Sequence, residues 1–163
     1  MGDIRLFVSH AHKDRDIAVA LVDAVEAAMV PKAGILCTSH PKREYQEPEN
    51  EDVSEHLRVH LTDSPCVLGV LTPNSVKSPW CLFELGGAWA LASRTFPLLA
   101  GGLSKESLPA ALKGYDAAQL TKPEEITKVL TDLSQALDWP LTIESAQKAI
   151  DHLVEVVRRS TWS

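Results

Sequence analysis

No apolar stretch in this sequence is long enough to cross a membrane. Its longest runs, such as Leu85 to Ala92, fall far short of the ~20 residues a spanning helix needs. Met1-Gly2-Asp3-Ile4-Arg5 also lacks the basic start and long apolar core of a signal peptide. Cysteine is scarce: Cys37, Cys66 and Cys81 are odd in number, far apart and set in apolar segments. That pattern points to packed thiols in a reducing compartment, hence a cytoplasmic chain, and argues against a disulfide frame. No basic patch stands out, so nucleic acid is not an expected direct partner. Glycine-rich phosphate loops are missing too. Ser9-His10-Ala11-His12 stands where a dinucleotide fold would carry Gly-x-Gly-x-x-Gly, and there is no P-loop.

What is present is ordinary globular composition. The 163 residues are 45% hydrophobic and 23% charged, which suits one domain with its own core and excludes wholesale disorder. The net charge of −6 is unevenly spread. Glu44, Glu47, Glu49, Glu51, Asp52 and Glu55 fall together with no Lys or Arg among them, so the rest of the chain is balanced. A solvated surface is the commonest fate of such a run.

Five short apolar runs alternate with helical patterns: Ile4–Ser9, Gly34–Ser39, Cys66–Leu71, Thr95–Ala100 and Asp116–Leu120. The first four lack clean alternation, as strands covered on both faces do, and the fifth reads as an edge. Helical spacing predicts helices over about 14–29, 53–62 and 78–93, a marginal one near 105–112, and two more. Of these two, one opens on a Thr121/Glu124 capping box and runs to Leu137; the other carries the stripe Ile143, Ala146, Ile150, Leu153, Val154 and Val157. Alternating strand and helix implies parallel pairing through right-handed crossovers. The expected fold is α/β: a flavodoxin-like five-stranded parallel sheet of order 2-1-3-4-5 with helices on both faces. Residues 1–140 would form the domain. Residues 141–163 would be an amphipathic helix that caps it or leads to a further domain.

In such a sheet a ligand sits beyond the carboxyl ends of the strands, at the switch point between strands one and three. The crevice walls would be Ser9-His10-Ala11-His12-Lys13 and Thr72-Pro73-Asn74-Ser75. A response-regulator receiver has this topology but needs an aspartate ending strand three, where Leu71-Thr72-Pro73-Asn74 stands; that reading is excluded. The helix rising from the second loop is apolar around most of its girth and is expected to be largely buried. Glu84 is its only acid, four residues after Trp80 and so on the same side. A buried carboxylate costs several kcal/mol unless compensated, so Glu84 is either bonded structurally or functional. Gly86-Gly87 in that helix would be explained by close packing. His56 and His60, four apart, have zinc-ligand spacing, but solvated histidines fit them better, and no metal site is expected. Cys81 reads as a packed thiol.

Ile4-Arg5-Leu6-Phe7-Val8-Ser9-His10 followed by Asp14 resembles the opening of a Toll/interleukin receptor (TIR) domain. Ser78-Pro79-Trp80-Cys81-Leu82-Phe83-Glu84-Leu85-Gly86 resembles that family's third-helix motif, and Gly87-Ala88-Trp89 extends it as in prokaryotic defence proteins. The resemblance covers about 4–137. It implies an NAD hydrolase that cleaves the nicotinamide–ribose bond, with Glu84 catalytic and Trp80 beside the substrate. Ser9, His10, Ala11 and Asn74 would complete substrate binding. NAD would be a substrate, with no cofactor. Assembly with other TIR subunits in antiviral immune signalling is implied, with a sensor domain or protein as a further partner. The alternative is a non-enzymatic adaptor that only assembles. One departure from the family is plain: the segment His40 to Asp52, which usually holds a glycine and mediates TIR–TIR contacts, contains none and is strongly acidic.

Overall fold

Strand β1 (Leu6–Ser9) is continuous and apolar because both of its sides are covered. In the computed structural model, which describes residues 5–29, 34–37, 66–90, 94–108 and 110–162, it is an interior strand of a parallel sheet. Its neighbours are β2 (Ile35–Leu36), an edge, and β3 (Cys66–Leu71). Beyond β3 come β4 (Arg94–Leu99) and the second edge, β5 (Ala118–Gln119). The order is β2-β1-β3-β4-β5, as expected from the alternation of elements. Register pairs Ser9 with Gly69 and Leu71 with Leu99, so β1, β3 and β4 end close together.

Each strand sends alternate side chains to opposite faces. Leu6, Val8, Leu68, Val70, Phe96 and Leu98 join one core, built with α1 (Arg15–Met29), α3 (Pro123–Leu137) and α4 (Gln147–Arg159). Phe7, Val67, Leu71 and Leu99 join the other, against Leu85 of α2 (Pro79–Ala90) and Leu108 and Leu112 of the following connection. That connection forms two 3₁₀ turns, Lys105–Ser107 and Ala110–Leu112, in place of the marginal helix.

Three expectations are corrected. The Thr121/Glu124 capping box does not form: Pro123 takes the first helical position, Lys122 becomes the N-cap without a side-chain bond, and Glu125 instead accepts from the Gln119 N–H at 3.2 Å. Among the described side chains of α2, burial is confined to one stripe. Cys81 and Leu85 are covered, but Leu82 is 38% and Trp89 53% exposed, because one sheet face covers only one stripe of a helix. Close packing is not the reason for Gly86, which faces open space. The close approach is on the strand: a Cβ on Gly69 would stand 2.8 Å from Leu85 Cδ2, so β3 is bare where α2 seats its leucine. Among the described residues no helix is long and apolar enough to cross a membrane. The helix expected at 53–62 and the acidic segment lie outside the described residues.

Candidate functional site

The loops after β1 and β3 are joined by one buried carboxylate. Ala11 ends the first loop and His12–Asp14 form a 3₁₀ turn that places Asp14 inward, 3% exposed. Thr72, just past β3, donates its hydroxyl to Asp14 Oδ2 at 2.5 Å. The Asn74 side-chain amide donates to Asp14 Oδ1 at 2.8 Å. Thr72 Oγ1 in turn accepts the N–H groups of Asn74 at 3.1 Å and Ser75 at 3.2 Å, and the Thr72 N–H donates to Ser75 Oγ at 2.7 Å. An ionised carboxylate is acceptor-only, so a hydroxyl and an amide donor are the partners it needs when desolvated. The network staples the two walls of the switch point together.

Within this frame Ser9 is buried at the end of β1, Ala11 is buried two residues on, and His10 between them is half-buried. Burial holds the His10 imidazole below its ordinary pKa; a hydrogen bond to the Val8 backbone and the charge of Asp14 oppose this, and His12 adds to it. The net effect favours the neutral form of His10. The second loop leads through the 3₁₀ turn Ser75–Lys77 into α2. Ser78 caps that helix, accepting the Cys81 N–H at 3.4 Å, with Pro79 first in the helix as its sequence implies.

The structure thus brings Ser9, His10, Ala11 and Asn74 to adjacent strand ends. It puts positions 80 and 84 in the first two turns of the helix that follows. The side chains of Trp80 and Glu84 lie outside the described residues. Asn74 also lines a groove of about 830 Å3 between the start of α1 and the end of α4, which Lys13, Arg15, His152, Arg159 and Trp162 share.

Asp14 was missed as a site residue, although its position just after the first loop and at the entry to α1 was visible. An acid there reads equally well as a solvated first-turn residue. All three cysteines are buried thiols, and burial pushes the Cys66 thiol up, away from nucleophilic use. Among the described residues, no three His, Cys, Asp or Glu side chains come together as a metal site would require. His56 and His60 lie outside them.

Comparison with known proteins agrees with this fold. The family model for the TIR domain matches residues 6–133. A Bacillus subtilis (strain 168) protein, the uncharacterized YddK, is 28% identical over 140 residues, which is 86% of this chain and 51% of that protein. A metazoan TIR-STING receptor from C. gigas, solved in complex with 2',3'-cGAMP, superposes with a TM-score of 0.58 at 23% identity, over 83% of this chain and 39% of that one. The chain therefore spans about half the length of the curated relative it matches and less of the structural one.

Proposed function

The chain belongs to the TIR domain family, and from that premise we propose that it hydrolyses NAD at the nicotinamide–ribose bond. The observation that carries the reading is the placement of α2. The helix bearing Glu84 rises directly from the Thr72–Ser75 loop, at the switch point where doubly wound sheets bind ligands.

The chemistry needs few parts. Nicotinamide leaves as a neutral molecule from a cationic ring, so no acid is required to protonate it. Ordinary glycoside hydrolysis needs a second carboxyl group for that proton. Glu84 holds the ribose hydroxyls and stabilises the positive charge that builds on the sugar as the bond to nitrogen breaks. Trp80 lies on the ribose–nicotinamide side. Ser9, His10, Ala11 and Asn74 form the walls, and a neutral His10 adds no repulsion toward the cationic ring. Water then adds its oxygen to the sugar and releases a proton, giving ADP-ribose. Attack by the adenine gives a cyclic product instead. Self-assembly with other TIR subunits would activate the domain, in an antiviral immune role.

The test is purified protein incubated with NAD, with free nicotinamide measured. Glu84→Gln keeps volume and removes charge, and release is expected to fall roughly a hundredfold or more, as when one electrostatic stabiliser is lost. Thermal stability should hold. A variant that keeps most of the activity of an active wild type would remove Glu84 from this role. A wild type that releases no nicotinamide at any concentration would favour the adaptor.

A further inference from the structure

The Thr72–Ser75 loop is approached from a second direction, by the tail that follows α4. That helix packs antiparallel to α1. Its entry is tied to the end of α1, where the Thr142 N–H donates to the Ala28 carbonyl at 2.7 Å and Ser145 Oγ donates to the Ala27 carbonyl at 2.9 Å. Its exit is therefore carried to the start of α1, at the carboxyl edge of the sheet. There Ser160, Thr161 and Trp162 line the same groove as Asn74 and Asp14.

At this edge Gly101, just past β4, has φ +70. A methyl placed on it would stand 2.5 Å from Pro73 Cδ, and 2.8 and 2.9 Å from Cε2 and Cδ2 of Trp162. Backbone and space both demand glycine here. Pro73 of the loop and the indole of Trp162 thus close on one residue that has no side chain. Pro73 is next to Asn74, whose amide is held by Asp14.

We infer that Trp162 is a positioning residue for the switch-point loop: its indole, seated on Gly101 beside Pro73, fixes where Asn74 stands. A local contact of this kind sets how often a loop opens without unfolding the domain. Misplacing a binding group by an ångström is costly at a site that orients substrate. The kinetic consequence rests on the NAD reading above; the structural consequence does not.

The experiment uses the full chain as wild type, Trp162→Ala, Trp162→Phe and Gly101→Ala. Amide hydrogen exchange is followed over residues 72–78, with 67–70 of β3 as the reference for global opening. Trp162→Ala should speed exchange over 72–78 about tenfold with the reference unchanged, and Trp162→Phe should restore most of the protection. Gly101→Ala, which must push Pro73 and the indole aside, should give the same local signature with Trp162 still present. In nicotinamide release, Trp162→Ala should raise KM about fivefold with kcat little changed, because Asn74 binds and Glu84 is untouched.

Unchanged exchange over 72–78, or equal acceleration of loop and reference, would overturn the inference. So would faster loop exchange with an unchanged KM. A wild type that releases no nicotinamide defeats the NAD reading alone, and the exchange measurement then decides the role of Trp162.

Discussion

Asp14 is the one charged side chain among the buried described residues, and it is fully engaged. Removing it strands two donors. Asp14→Ala leaves the Thr72 hydroxyl and the Asn74 amide without their acceptor and should cost about 2–3 kcal/mol, read by denaturant unfolding. Asp14→Asn keeps one acceptor oxygen and should cost less. Equal stability of Asp14→Ala and wild type would mean that water replaces the carboxylate without penalty. His10 contributes in the opposite sense. Its folded pKa lies below the ordinary 6.5, so between those values the unfolded chain holds more protons. Stability is therefore expected to fall as pH drops from 6.5 toward the folded value. His10→Gln should flatten the decline of Tm over that window, and identical slopes would place its source elsewhere.

At the scale of elements, the helices divide by what covers them. The stripe Ile150, Leu153, Val154 and Val157 of α4 sits in the same core as Ile17, Leu21 and Val25 of α1. A change in that stripe should act on the whole domain: Leu153→Ala, at a position 0% exposed, should destabilise global unfolding by about 2–5 kcal/mol. The exposed neighbour His152→Ala should change little. If Leu153→Ala gave a separate early transition, α4 would be an independent element. Strand limits at β3 agreed with the sequence because a six-residue apolar run between turns is a strong signal. The start of α3 did not, because a proline at the first helical position outweighed the Thr–Glu spacing. For α2, apolar composition overstated burial at Leu82 and Trp89, since composition does not say how many faces have neighbours.

At the scale of the molecule, the charge imbalance sits in one segment, 44–55, outside the described residues. If activation requires assembly, nicotinamide released per chain should rise with protein concentration, crowding or forced dimerisation, because the competent state is then more populated. Neutralising Glu47, Glu49 and Glu51 together should change that dependence with the fold intact, as salt should by screening. Constant specific activity over a wide dilution series, with an unchanging monomer signal in light scattering, would show that one chain holds a complete site.

By itself, the sequence determined the class of sheet and the location of the switch point. Apolar runs, helical spacing and the right-handed crossover are local or near-local properties, and together they point to a doubly wound parallel sheet, for which 2-1-3-4-5 is one of the common orders. It also brought Ser9, His10, Ala11 and Asn74 to that point, because strand ends are readable from the runs themselves. Only the tertiary structure decided that Asp14 joins the two loops, that Gly69 makes room for Leu85, and that Trp162 reaches Gly101. Each is a contact between residues far apart in the chain or between different layers. No periodicity encodes which side chains meet once α1 and α4 have packed antiparallel on one face of the sheet.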